Sequence, residues 1–242
     1  MNTFFNKIRH KMLQEGKTGK YLKYAAGEII LVVIGILIAL QVNNWNENRK
    51  QQKVKRSYTS SIINDFKKDS AALQSLITQL ERDSLVFNSF TQRLLSSKSN
   101  TDTIVKMFRY EFPRYIRPDY SFNNTTLVNL IGNNTVSYPD DIRESFAALI
   151  KIQKDFERTN NIFIDKYMDL LNANAYPFED YFLDSGKSVR DSIWDHKDKL
   201  QLLADFERLS DWKLAYTQVT LNYAKGIQRF TLRLRKNLEE LP

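Results

Sequence analysis

The sequence predicts an all-α protein: an N-terminal transmembrane helix followed by an elongated antiparallel helical bundle with coiled-coil-like seams. Three observations predict it. Residues 29–40 form one uninterrupted apolar run between two basic flanks. Apolar residues then recur every seven positions in two long stretches, the signature of helices with a narrow buried seam. No alternation of convincing strand length occurs anywhere in the 242 residues.

The first element is a basic head, residues 1–20. Phe4, Phe5, Ile8, Met12 and Leu13 stand at helical spacing over 3–15, with Lys7, Arg9 and Lys11 on the polar side. A basic amphipathic helix of this kind lies on a membrane surface. Residues 16–19 read as a turn. Their Gly-Lys-Thr triplet is not a phosphate loop, because the first glycine at the required spacing is missing and no strand precedes it.

The second element is the span, residues 21–46. Twelve apolar residues are too few for a hydrocarbon core that takes roughly 20 helical residues. Tyr24 to Gly27 before the run, and Gln41, Val42 and Trp45 after it, bring the helix to that length. Glu28 and Gln41 then sit within snorkelling reach of the two interfaces. Tyr21, Tyr24 and Trp45 suit the aromatic belts. Gly35 and Ala39 are a small-xxx-small pair and Gly27 lies two turns back, a pattern that lets helices approach closely. A cleaved signal peptide is a poor alternative, since Ala39-Leu40-Gln41 is a weak cleavage site. Six Lys and Arg, Lys23 included, precede the apolar run at 29–40 and five follow it by residue 56, so charge alone barely orients it. A basic N-terminal head before a short span is expected to stay cytoplasmic. That places the chain as a single-pass protein of the inner (cytoplasmic) membrane with a periplasmic C-terminal bundle.

The third element is the tail, residues 47–242. Its first long helix covers about 48–95, where Phe66, Leu73, Leu80, Phe87 and Leu94 recur every seven residues. Ile62, Leu76 and Phe90 occupy the companion register, which Asp69 and Asp83 interrupt. Asp102 is a candidate cap for a short helix to Tyr110. Residues 110–137 are irregular: Pro113 and Pro118 stop helices, and Tyr110, Phe112, Tyr115, Tyr120 and Phe122 alternate with basic residues. Arg109, Arg114, Tyr115, Arg117 and Tyr120 form a candidate ligand or partner surface, because stacking and positive charge suit an anionic or aromatic group. The commoner role of such a section is to pack its aromatics over the end of a bundle. Asn123 and Asn124 are candidate caps for a helix through Ile131. A second long helix covers about 139–172, with Ile142, Leu149, Phe156, Phe163 and Leu170 every seven, Phe146 and Tyr167 beside them, and Gln153 and Asn160 as polar interruptions. The matching seams suggest that the two long helices pack antiparallel. C-terminal helices follow over about 188–238. The last starts near Ser210 and is marked by Leu209, Tyr216, Tyr223 and Phe230.

Composition narrows the function. The net charge is +8, but residues 1–56 hold 11 Lys and Arg against three Glu, while the remainder holds 25 basic and 25 acidic residues. The excess therefore flanks the span, where it meets anionic headgroups. A nucleic-acid partner, which needs a basic face on the folded domain, is not expected. Cysteine is absent, which removes disulfides, thiolate metal sites and a Cys nucleophile. The two histidines, His10 and His196, have no second ligand at metal spacing. No nucleophile elbow, dinucleotide turn, kinase string or zinc-protease string occurs. No catalytic residue, cofactor or metal is expected, and the chain reads as a non-enzyme.

The string from Gly27 to Gln41, followed by Asn43-Asn44-Trp45-Asn46-Glu47, resembles the N-terminus of a family of uncharacterised single-span membrane proteins of Bacteroidetes-type bacteria. A weaker echo lies at 126–149, in Gly132 with Asn133 and in the helix start Asp141-Ile142-Arg143. At 130–134 this chain departs from the family's Ser-Ser-Gly-like turn and only the glycine matches. The resemblance implies an anchored helical protein and supplies no activity. The expected function is that of a membrane-anchored interaction or scaffold protein of the cell envelope, with the lipid membrane and a protein partner, or its own copies, as partners. The alternative is an extracytoplasmic ligand-binding or sensor bundle acting through a separate signalling partner.

Overall fold

The computed structural model describes residues 18–96, 100–114, 116, 120–132, 136–173 and 187–241. All their regular structure is helical: α1 (Thr18–Leu95), α2 (Thr101–Lys106) with a π-helical turn (Met107–Glu111), α3 (Thr125–Gly132), α4 (Asp140–Asn172), α5 (Lys187–His196) and α6 (Lys199–Glu239). The expected surface helix at 3–15 lies outside the described residues. Thr18 and Gly19, read as part of a turn, already belong to α1. The chain divides into two compact units, Met1–Ser57 and Tyr58–Pro242.

In the first unit, α1 is one helix long and apolar enough to cross a membrane. Its apolar side chains are exposed around the full circumference, Leu31 to 71 %.

In the second unit the helices share two cores. The seven-residue seam explains the contribution of α1: Phe66, Leu73, Leu80 and Phe87 are all buried. The first core joins Ile62, Phe66 and Leu73 of α1 with Leu127 and Leu130 of α3, the first half of α4 (Ile142 to Phe156) and the second half of α6 (Ala224 to Leu238). The second joins Phe87 and Phe90 with Met107, Phe108 and Phe112, with Tyr167 late in α4, Trp194 of α5, and Leu202, Phe206 and Leu209 early in α6. Phe87, Phe90, Phe108, Phe112 and Phe206 meet at centroid distances of 5.4–6.0 Å, mostly edge to face, the arrangement that the ring quadrupole favours.

The order of residues through these cores corrects the expected pairing. Along α1 from 62 to 90, α4 advances in the same sense, from Ile142 to Tyr167. The two long helices therefore run parallel. The physical reason is the connection: a short loop forces antiparallel neighbours, but here the described residues between Asn100 and Pro139 run back along α1. Phe108 and Phe112 pack beside Phe87, Asn123 reaches Asp69, and the Tyr138 hydroxyl shares a 2.7 Å hydrogen bond with Thr59. The antiparallel partner of α1 is α6, through Lys225–Glu81 (2.6 Å) and Gln228–Gln74 (2.9 Å).

Two helix starts, those of α2 and α6, also differ from expectation. Asn100, not Asp102, caps α2, its Oδ1 accepting from the Thr103 N–H at 2.9 Å. At the start of α3 the Asn124 carbonyl accepts from the Val128 N–H at 2.8 Å, the bond of a cap position, while the Nδ2 groups of Asn123 and Asn124 donate to Asp69 and Gln153. α6 starts at Lys199 rather than near Ser210, because Asp198 caps it by accepting from the Gln201 N–H at 2.8 Å.

Candidate functional site

The polar residues that break the seams converge inside the second unit. Asp69 is 2 % exposed. Its Oδ1 accepts from the Asn123 backbone N–H (3.0 Å) and Nδ2 (2.7 Å), and the Tyr120 hydroxyl donates to its carbonyl (3.0 Å). Asn124 Nδ2 donates to Gln153 Oε1 at 3.3 Å, which ties the interruption of α4 to the same layer. Asp69 Oδ2 is buried with no hydrogen-bond partner. Burial lifts the Asp69 carboxyl above the usual carboxylate range, against the two Asn123 hydrogen bonds that pull it down, and the nearby Asp65 charge adds to the rise.

Four turns further along α1 stands Asp83, half-buried. The cation that its charge acts on is Lys213 of α6, 1 % exposed. The ammonium Nζ lies 5.8 Å from the ring centres of Phe87 and Phe112 and 5.4 Å from that of Tyr167, an aromatic cage on three elements. Burial draws the Lys213 amine down to about 7, and the Asp83 charge opposes that fall. Burial likewise pushes the Tyr216 hydroxyl up to about 12, with a Thr220 hydrogen bond lowering it and Asp83 raising it. Tyr167 is pushed up by burial and donates to the Arg114 carbonyl at 2.8 Å.

Lys213 also contributes to the lining of a cavity of about 250 Å³. Exposed Ala72 and Ser75 form its mouth, and buried Leu80, Lys213 and Tyr216 its floor. Asp83, Gln79 and Tyr120 add polar atoms to the wall, while Leu76 and Ile116 add apolar surface. A larger groove of about 560 Å³ lies between α3 and the start of α4, but its charged residues include an exposed i,i+3 pair, Arg143–Asp140 at 3.9 Å. The chemistry is concentrated at Lys213. No group of three or more metal-ligating side chains occurs among the described residues.

The sequence-selected residues fall in three places. Gly27, Glu28, Gly35, Ala39 and Gln41 lie along the uncovered length of α1. A Cβ built at Gly27 or Gly35 meets nothing within 4 Å among the described residues. Trp45 is exposed with the Arg49 guanidinium 5.9 Å above its ring, and the side chains of Tyr21 and Tyr24 lie outside those described. Of the arginine–aromatic set, Arg109 bonds to Asp191 and stacks on Trp194, and Arg114 is buried. Tyr120 packs on Phe122 and Phe156 and lines the cavity. Tyr115 and Arg117 lie outside the described residues. Sequence reasoning missed Lys213 and Gln79. The available signal was Lys213 at i+4 from Leu209, on the apolar face of the last helix.

These features define a helical protein with one candidate membrane span and a buried lysine cavity in its second unit. Residues 28–139 match a family described as being of unknown function (DUF6090). The match begins inside the candidate span and ends where α4 begins, so it takes in Gln79, Asp83 and Tyr120 but not Lys213 or Tyr216. No curated protein and no solved structure matches the chain.

Proposed function

We propose that the chain is a membrane-anchored helical interaction protein of the bacterial cell envelope, without catalysis of its own. In this reading residues 21–46 cross the inner membrane, the basic head stays in the cytoplasm, and Tyr58–Pro242 stands in the periplasm as a helical bundle that meets a protein partner or further copies. The observation that carries it is the full exposure of the apolar side chains at 29–42 in a chain whose second unit buries its seams. An uncovered apolar surface of that size calls for lipid or another helix. Crosslinking and affinity purification of the full-length protein from its native membrane test it. A stoichiometric envelope partner or self-copies are expected. A monomeric chain with neither contradicts it.

The Lys213 cavity favours a second reading, an extracytoplasmic ligand-binding or sensor bundle that signals through a separate partner. A small concave site with a few convergent polar groups and a perturbed amine is how a binding site is ordinarily built. Thermal-shift screening of the full-length protein against metabolites and glycans tests it, and the absence of any hit removes its support.

A further inference from the structure

Where α1 leaves its apolar run it becomes densely basic. Arg49, Lys50, Lys53, Lys55 and Arg56 stand within eight residues, and no acid follows Glu47 until Asp65. All five belong to the first unit, and all but the half-buried Lys55 are exposed. At about 100° of turn per residue, Arg49, Lys53 and Arg56 fall within ~80° of Trp45, on one stripe of the helix. Ile38 and Val42 continue that stripe into the apolar run, and both are exposed. Trp45 is 64 % exposed, with the Arg49 guanidinium 5.9 Å from its ring centre. Glu47 falls on the far side of the helix, where Lys50 meets it at 3.9 Å.

Helix geometry makes this flank unlike the one before the span. Every Cα–Cβ bond of an α-helix tilts toward the N-terminus. Long side chains that follow the span therefore lean back toward the bilayer, while those that precede it lean away. With Trp45 at the interface, the Cα atoms of Arg49, Lys53 and Arg56 stand ~6, ~12 and ~16 Å further out at the helical rise. The headgroup layer is about 5–8 Å thick on each side. Arg49 thus lies within it and Lys53 leans back to its outer edge. Arg56 stays within the screening length of about 8–10 Å from it. A guanidinium stacked on an indole keeps its N–H edge for phosphate oxygens. An excess of positive charge on both flanks attracts anionic lipid without fixing where it sits; the stripe fixes it.

We propose that Trp45, Arg49, Lys53 and Arg56 form a docking stripe for an anionic phospholipid in the leaflet from which α1 emerges. The lipid phosphate accepts from Arg49, its remaining negative charge is shared by Lys53 and Arg56, and an acyl chain lies along Val42 and Ile38. An amphiphile with its phosphate directly beside its chains matches this junction of cations and exposed aliphatic residues, whereas an acidic protein segment would match the cations alone. A zwitterionic lipid gains less, because its own cation meets the same three charges. The proposal rests on the membrane-anchor reading above and names the lipid class that the anchor selects.

The test is quenching of tryptophan fluorescence by brominated lipid, with the full-length protein in phosphatidylcholine nanodiscs. Brominated phosphatidylglycerol or brominated phosphatidylcholine is included as a minor component, and the signal absent from Trp45→Phe isolates Trp45. A preference of about fivefold or more for the glycerol lipid is expected, the order of one basic side chain near an anionic surface, and it should fall toward parity in 1 M salt. The triple variant Arg49→Gln, Lys53→Gln, Arg56→Gln is expected to bring the preference within about twofold. Lys67→Gln, Lys68→Gln, Arg82→Gln removes the same charge from exposed positions of the second unit and is expected to leave the preference intact. A preference that survives the first triple, or that both triples reduce equally, overturns the proposal. Equal quenching by the two lipids overturns it while the membrane anchor stands. No quenching of Trp45 by either lipid overturns the proposal and the anchor together.

Discussion

Helix α1 carries two apolar patterns on one continuous backbone, and the two have opposite fates. At 29–42 nearly every side chain is apolar, and all are exposed. At 62–90 only about one residue in three or four is apolar and inward-facing, and those are buried against α3, α4 and α6. The difference teaches that hydrophobicity alone does not fix burial; periodicity does. A stripe can be covered by neighbours on one side while its polar face stays in water. A helix that is apolar all round asks for a medium rather than a neighbour.

The largest effect that can break this comparison is truncation within each half. Leu73→Ala and Phe87→Ala are expected to cost ~3–5 kcal/mol of unfolding free energy, since both side chains are fully buried. Leu37→Ala, with the same chemistry in the exposed half, is expected to stay within about 0.5 kcal/mol. Denaturant unfolding of the second unit in detergent-solubilised protein checks both, and equal losses would erase the distinction.

A smaller effect sharpens the polar half of the account. Asp69→Ala removes the acceptor of two Asn123 donors, one of them a backbone N–H, and is expected to cost about 2–3 kcal/mol in the same assay. A neutral result would mean that the layer is solvated rather than buried.

Lys213 gives a pH signature. Its folded value of about 7 lies below the ordinary 10.5, so between those pH values the unfolded chain binds more protons than the folded one. Stability is therefore expected to rise with pH across about 7–10.5, at no more than about 1.4 kcal/mol per pH unit, and the burial penalty is fully present below 7. Among the described residues, Asp83 acts on the amine, Tyr167 lies against it, and Tyr120 and Tyr216 line the same cavity; burial pushes the three tyrosines upward, away from this window. Lys213→Met is expected to flatten the slope and to be neutral or stabilising by up to about 4 kcal/mol. Urea midpoints at pH 7 and 9.5 decide it: parallel shifts in both proteins would sink the assignment.

The smallest effect belongs to the surface. Glu111→Gln breaks the exposed Arg93–Glu111 pair, which holds Glu111 below the usual carboxylate range through its hydrogen bond to Arg93. The expected loss is at most about 1 kcal/mol, and it should vanish in 1 M salt. A larger, salt-insensitive loss would show that the π-helical turn depends on this pair.

Much of the fold was legible because the seams obey one rule. Phe66, Leu73, Leu80, Phe87, Ile142, Leu149 and Phe156 stand where a seven-residue repeat puts them, and all are buried. Pairing direction was not legible, because identical seams pack either way and only the described return between Asn100 and Pro139 decides. The face of α6 was half legible. Leu209 and Tyr216 are buried, but further on Thr217, Thr220, Ala224 and Thr231 hold the core while Tyr223 and Phe230 flank it. Small residues there let α6 approach its neighbours, and no hydropathy reading favours threonine. The site was the least legible part. Asp69 and Asp83 were visible as interruptions, but the side chain that answers Asp83 comes from a helix 130 residues later. A lone lysine on an amphipathic helix looks like any solvated one.

The most direct test of the central claim uses the absence of native cysteine. Single Ile36→Cys and Ser75→Cys variants would be exposed, in intact cells with a permeabilised outer membrane, to a membrane-impermeant maleimide. The account predicts that Ser75→Cys labels readily, while Ile36→Cys stays unlabelled until the bilayer is dissolved. Equal labelling of both positions before detergent would contradict a lipid-covered span, and with it the contrast between the two halves of α1.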